Sequence, residues 1–218
     1  GNEDVTIIDS ETISRLHEYR ATQSEIINAL DEDRIEVFLQ PIYSTYEKCF
    51  VSAEALVRIR NKEGNIIAPA AFIPVAESSG LIGQIGDRVF EKVCGFIKEG
   101  EMKKLGIHYI EVNLSIMQCE DNTLAKRYED VIRSYRIEPS AINLEITETG
   151  QMRNRKVLMK NLESLREFGC SFSLDDFGTG ESNLNYIVEM PVDIVKFDRS
   201  MILSYFKNDK TRLMMEYV

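Results

Sequence analysis

The sequence predicts an α/β fold, a parallel βα sheet or barrel with an antiparallel start, and three observations predict it. From residue 107 onward, stretches with strand period alternate with stretches of helical period, joined by short connections; this is the pattern of βα units in a parallel sheet or barrel. Polar residues, mostly acidic, recur where those strands end, and the C-terminal ends of barrel strands converge on one face. No Pro/Gly/Ser tract divides the 218 residues, so the chain reads as a lead-in helix or linker over 1–24 and one domain over 25–218.

The elements follow in order. From Glu11 to about Leu30 the period is helical, with Ile13, Leu16, Tyr19, Ile26, Ile27 and Leu30 roughly on one side and Gln23 interrupting the stripe. Ile35–Tyr43 and Cys49–Ile59 read as strands. Pro41 suits the end of the first, and the short connection between them suits an antiparallel hairpin. Pro69–Gly100 is helical with a break near Gly80; Ile85, Val89, Val93 and Phe96 keep the spacing and Gly100 caps the end. Strands are expected at Ile107–Leu114, Ile142–Glu148, Cys170–Asp176 and Asp193–Asp198. Helices are expected at Leu124–Tyr135, Val157–Phe168 and Leu184–Met190, with another after the last strand.

Composition narrows the chemistry. The net charge of −10 argues against a nucleic-acid polymer as partner, yet leaves room for a small phosphorylated ligand if cations held by carboxylates supply positive charge. The four cysteines are far apart and form no Cys-x-x-Cys pair, which predicts reduced, mostly buried thiols. With two histidines, His17 and His108, a histidine metal site or triad is not expected. No apolar run reaches the length of a membrane span.

The strand-end residues carry the functional reading. Glu54 lies in an apolar strand; Asn113 and Ser115 end the next; Glu145 and Glu148 lie within and at the end of another; Asp175 and Asp176 follow, then Lys196 and Asp198. Successive strand side chains point to opposite faces, so Asp175 and Asp176 share a site only if the strand breaks there, and Gly178 and Gly180 suit such a break. Adjacent carboxylates repel unless a cation or proton lies between them. Oxygen donors without histidine or thiolate indicate a hard cation, Mg²⁺ or Mn²⁺. Asp175 is placed to bridge two ions, and paired ions hold an attacking hydroxide and clamp a phosphodiester. Solvated strand-end polar residues are the competing reading; their recurrence on five strands in order counts against it.

Glu54-Ala-Leu-Val-Arg58 resembles the signature of EAL-domain cyclic-di-GMP phosphodiesterases. The family's other motifs follow in order: Gln40-Pro41, Asn113-Leu-Ser115, Glu145-Ile-Thr-Glu148, Asp175-Asp-Phe-Gly-Thr-Gly180 and Lys196-Phe-Asp198. The likeness runs from about residue 25 to the end of the sequence. It implies a TIM-like barrel of EAL type with an antiparallel first strand. It also implies metal-dependent hydrolysis of cyclic di-GMP to linear pGpG in second-messenger signalling.

By the resemblance, Glu54, Asn113, Glu145 and Asp175 match ligands of a first Mg²⁺ or Mn²⁺, and Asp175 and Asp176 ligands of a second. Lys196 matches a lysine near the attacking water and forms the catalytic set with Glu54 and Asp175. Arg58 matches a phosphate contact, and Gln40, Leu56 and Asp198 match further substrate-binding positions. Glu148 matches a glutamate that anchors the loop after Asp176, a loop that carries dimer contacts in the family. The implied partners are cyclic di-GMP, a second copy of the chain, and an upstream GGDEF or sensory domain in a longer cytoplasmic protein.

Two departures stand against the pattern. Glu181-Ser-Asn-Leu184 replaces the family's usual tyrosine and serine, which bears on loop conformation and dimer coupling. The sequence also stops at Val218, before the family's later glutamate and final strands, so the expectation is an incomplete second metal site and a barrel lacking its last strands. The alternative function is a catalytically impaired domain that binds cyclic di-GMP as a receptor, or a dimerisation module.

Overall fold

A computed structural model of the chain describes residues 9–147, 154–178 and 190–217. Its strands are β1 (Ile35–Ser44), β2 (Cys49–Arg60), β3 (Ile66–Ile67), β4 (Tyr109–Leu114), β5 (Ile142–Thr147), β6 (Ser171–Phe177) and β7 (Ile194–Phe197). Its helices are α1 (Ser10–Asp31), α2 (Pro69–Ser78), α3 (Ile82–Lys98), α4 (Glu101–Lys104), α5 (Ile116–Cys119), α6 (Leu124–Tyr135), α7 (Arg155–Phe168), α8 (Arg199–Tyr205) and α9 (Asp209–Tyr217). The strands join in the order β1-β2-β4-β5-β6-β7, with β3 paired to β2. Pairing is parallel from β2 through β7. The connection from Ser44 to Cys49 is too short for anything but an antiparallel β1–β2 pair. The mixed sheet with an antiparallel start is therefore the predicted one. The helix expected over Leu184–Met190 falls outside the described residues.

The chain forms two compact units, one of residues up to Glu36 with Val57–Arg88, the other of Val37–Leu56 with Val89–Val218. In the first, Ile26 and Ala29 of α1, Phe72 and Ala76 of α2 and Ile59 of β2 are buried. An ionic knot closes this unit: the Arg34 guanidinium donates to Glu25 at 2.6 Å, to Glu32 at 2.7 Å and to the Arg60 carbonyl. Arg60 in turn grips Glu36 through two bonds of 2.5 and 2.9 Å. The apolar stripe expected along α1 is not one buried face. Ile13 and Leu16 are exposed, because α1 meets α2 only from about Tyr19, whose hydroxyl accepts from Ser78 at 3.2 Å; Ile27 is exposed beside the buried Ile26 and Ala29, on the side of the helix turned from them.

The break at Gly80 is where the sequence placed it: α2 stops at Ser78, Gly80 takes φ +74°, and α3 begins at Ile82. Gly100 at φ +77° likewise ends α3, and the short α4 that follows was not anticipated. Nor were β3 and α5.

In the second unit, strand alternation sorts the side chains into two faces. Ile110, Val112 and Leu114 of β4, Ile142, Leu144 and Ile146 of β5, and Phe172 and Leu174 of β6 are buried aliphatic or aromatic residues. They form the core with Leu158, Leu162 and Leu165 of α7 and the stacked Phe90–Tyr128 pair, whose centroids lie 3.8 Å apart. The intervening positions are polar: Glu111 and Asn113, Asn143 and Glu145, Ser171, Ser173 and Asp175. Register stacks them, with Glu54 beside Glu111, Glu111 beside Asn143, Asn113 beside Glu145, and Glu145 beside Ser173. Buried polar groups must find partners, and these find one another. Ser173 Oγ donates to Asn143 Oδ1 at 2.8 Å, and Asn143 Nδ2 donates to Ser171 Oγ at 3.0 Å.

Candidate functional site

Strands β2, β4 and β5 gather acidic side chains around one ammonium on β7. Lys196 on β7 donates to Glu145 Oε1 on β5 and, at 3.1 Å, to Glu111 Oε2 on β4, and its Nζ stands 3.7 Å from Glu54 Oε2 on β2. Asn113 Nδ2 donates to Glu54 Oε1 at 3.0 Å. In a flat sheet, β4 and β7 would stand about 14 Å apart, three strand spacings. Direct contact between Glu111 and Lys196 therefore requires a sheet curved as a barrel wall is.

The aspartate pair enters through a bulge. β6 pairs with β7 at Leu174–Val195 and again at Phe177–Phe197, so Asp175 and Asp176 together stand opposite Lys196 alone. An extra residue of this kind re-aims side chains. The expected break at Gly178 is present, at φ +101°, but it is preceded by Asp176 itself at φ +54°. The strand thus runs on to Phe177, past the expected end, and Asp is among the few non-glycine residues that tolerate the left-handed region.

The electrostatics follow from burial. Glu145 is fully buried, and desolvation pushes its pKa up to about 8; the Lys196 hydrogen bond and charge pull against this, while Asp175 and Glu54 add to it. For Lys196, burial pulls the pKa down, but the Glu145 bond and the charges of Glu145 and Glu111 outweigh it and hold the ammonium above its ordinary value. Asp176 is raised by burial first, then by Asp175 and Asp198. One ammonium among this many carboxylates leaves negative charge in excess.

These residues fit a divalent cation. The donors are carboxylate and amide oxygens, the set that hard cations take. Glu145 Oε2 is buried with no hydrogen-bond partner among the described residues. Glu54, Asn113, Glu145 and Asp175, with Asp176 beside them, are the residues that could hold one. Among the described residues no three acidic, histidine or cysteine side chains already converge as a ready cation cage; the Lys196 ammonium stands among the carboxylates instead.

Other expected site residues are placed as follows. Gln40 is exposed on β1, and Leu56 is half-buried on β2. Arg58, further along β2, belongs to the first unit, where its Nη1 donates to the Val57 carbonyl at 2.8 Å. Asp198 caps α8, accepting from the Ser200 amide at 2.7 Å, and that bond holds its pKa below the usual carboxylate range. Glu148 lies outside the described residues, as do Gly180 and Glu181–Leu184.

The residue missed from sequence is Glu111. It is 3% exposed and belongs to the lysine cluster. The signal was there: Glu111 precedes Asn113 by two residues, which puts both on one face of β4.

Comparison with known proteins bears on this arrangement. The family model described as EAL domain matches residues 23–218. The chain is 33% identical over 189 residues to "Cyclic di-GMP phosphodiesterase NbdA" of Pseudomonas aeruginosa, covering 84% of this chain and 24% of that protein. It is 32% identical over 195 residues to "Bifunctional diguanylate cyclase/cyclic di-GMP phosphodiesterase MucR" of the same organism, covering 88% and 27%. The chain thus spans about a quarter of the length of the curated relatives it matches. Among solved structures, "PaMucR Phosphodiesterase, c-di-GMP complex" superposes with a TM-score of 0.77 at 30% identity, covering 89% of this chain and 78% of that one. With the match extending over residues 23–218 and the fold and motif order in agreement, the chain belongs to the EAL domain family.

Proposed function

We propose that this chain is the domain of a signalling protein that hydrolyses cyclic di-GMP to linear pGpG with Mg²⁺ or Mn²⁺. The observation that carries the reading is the convergence of Glu54, Glu145 and Lys196, with Asn113 and the Asp175–Asp176 bulge, on one set of strand ends. The names of the NbdA and MucR relatives support the substrate.

Divalent cations bound here would lower the pKa of a water molecule and neutralise charge on the phosphodiester. Glu54, Asn113, Glu145, Asp175 and Asp176 would hold those cations. Lys196 stays protonated, and its charge favours the hydroxide form of the attacking water and the anionic transition state. The water oxygen bonds to phosphorus, the P–O3′ bond breaks, and the leaving 3′ oxygen takes a proton, which gives a 5′-phosphate on the linear product. Arg58 holds a phosphate, which its planar donor fork suits, while Gln40, Leu56 and Asp198 contact the rest of the substrate and Glu148 anchors the loop after Asp176. In the longer protein the domain works on the cytoplasmic side, as a homodimer, under a GGDEF or sensory domain.

A receptor is the second reading, favoured by the bond that Lys196 already makes to Glu145, one of the proposed cation ligands. Incubation with cyclic di-GMP and Mn²⁺, followed by chromatography that resolves pGpG, separates the two. Product from the wild type and none from Glu54→Ala supports hydrolysis. Tight binding of cyclic di-GMP with no product moves the assignment to receptor.

A further inference from the structure

Three carboxylates surround Lys196, and only two of them, Glu54 and Glu145, belong to the proposed cation ligands. The third has no part in that chemistry. Glu111 sits one pleat deeper on β4 than Asn113 and is 3% exposed. Its Oε2 accepts from Lys196 at 3.1 Å, and its Oε1 accepts from the Ser52 hydroxyl at 3.4 Å. Ser52 is itself fully buried. A carboxylate held this deep is costly unless both oxygens are engaged and a cation lies beside it. Here Ser52 holds one oxygen from below and Lys196 takes the other from above.

The arrangement has a consequence for the cation. Glu54 and Glu145 cannot serve an ammonium and a divalent ion equally, since the two positive charges repel and need the same oxygens. Once those two carboxylates turn to a cation, Glu111 is the remaining member of the trio around Nζ. We propose that Glu111 is the positioning residue for Lys196. It anchors the ammonium at the strand ends independently of the cation ligands, so that Lys196 and a bound cation do not compete for Glu54 and Glu145. The inference rests on the cation-dependent phosphodiesterase reading, but its first test does not.

That test is made on metal-free protein carrying ¹⁵N-labelled lysine. The Lys196 ammonium resonance is identified by its loss in Lys196→Met. In the wild type it should be protected from exchange; in Glu111→Gln it should shift or vanish into exchange, with the backbone amide spectrum retained. The second test is a double-mutant cycle on Mn²⁺ binding, followed by calorimetry in wild type, E111Q, K196M and E111Q/K196M. E111Q should weaken Mn²⁺ binding by ~10-fold when Lys196 is present, in the range for partners that orient ligands, and should have no effect in the K196M background.

Equal weakening in both backgrounds would overturn the proposal, because Glu111 would then act through its charge alone. An unchanged ammonium resonance in E111Q would overturn it as well. If the wild type binds no Mn²⁺, the phosphodiesterase reading fails, and the ammonium resonance alone decides the role of Glu111. Should E111Q not fold, E111D replaces it: it keeps the charge, withdraws the carboxylate by one methylene, and should show the same loss of the protected resonance.

Discussion

Lys196 and Glu145 lie on strands that are not neighbours, yet their side chains form a buried hydrogen bond across β6. That pair ties β7 to β5 at the mouth of the sheet and sets the resting state of the candidate site: an ammonium stands among the carboxylates.

Replacing Lys196 by Met should lower kcat by ~10²–10³, the cost of removing one preorganised donor from a developing anion, and leave KM for cyclic di-GMP nearly unchanged. Steady-state kinetics with Mn²⁺ checks this. A rise in KM with constant kcat would place Lys196 in substrate binding instead.

Cation binding should depend on pH through Glu145, whose pKa burial pushes up to about 8. A carboxyl raised above its unfolded value of 4.5 contributes most stability below that value and loses it as pH rises toward about 8. The metal-free protein should therefore lose stability across that window, and a cation that takes the carboxylate should restore it. Because a proton must leave, the Mn²⁺ affinity measured by calorimetry should rise by up to about tenfold per pH unit below the pKa. In Glu145→Gln the affinity should be weak and this slope absent.

Gly178→Ala should destabilise the protein. The residue sits at φ +101°, and an added Cβ would run into the Met201 side chain of α8. A cost of roughly 1–3 kcal/mol is expected from the backbone conformation alone, read as a lower midpoint in denaturant. An unchanged midpoint would show that the turn after Asp176 relaxes freely.

The thiols should divide by burial. Cys94, Cys119 and Cys170 are buried, and desolvation pushes each pKa up to about 12, whereas Cys49 is exposed. At pH 8 a thiol reagent should modify Cys49 rapidly and the others only on unfolding. With folded values above the ordinary 9.0, these three thiols stabilise fully below that pH, and their contribution falls away as pH rises toward about 12.

Much of this was legible because strand alternation is rigid. Glu145 had to face one way once Ile142, Leu144 and Ile146 faced the other, and Asn113 likewise once Val112 and Leu114 did. Glu111 escaped notice because attention to strand ends stops one pleat short of the layer beneath. The bulge was half legible: Gly178 announced a break, but a positive φ at Asp176 is a tertiary choice that an aspartate permits without advertising. In α1, periodicity showed an apolar stripe but not its covering, and Ile13 and Leu16 remain exposed. The lysine at the centre of the carboxylates was named from its motif. That it pairs with Glu145 and Glu111 depends on sheet curvature, which no local pattern encodes.

The central claim is that water attacks a phosphodiester of cyclic di-GMP at the cluster around Lys196 and Glu145. Turnover in H₂¹⁸O with Mn²⁺, analysed by mass spectrometry, tests it most directly. The account predicts pGpG carrying one ¹⁸O in its terminal phosphate from the wild type, and at most trace product from Glu145→Gln. Cyclic di-GMP bound but recovered intact, or labelled product formed equally by Glu145→Gln, would contradict it.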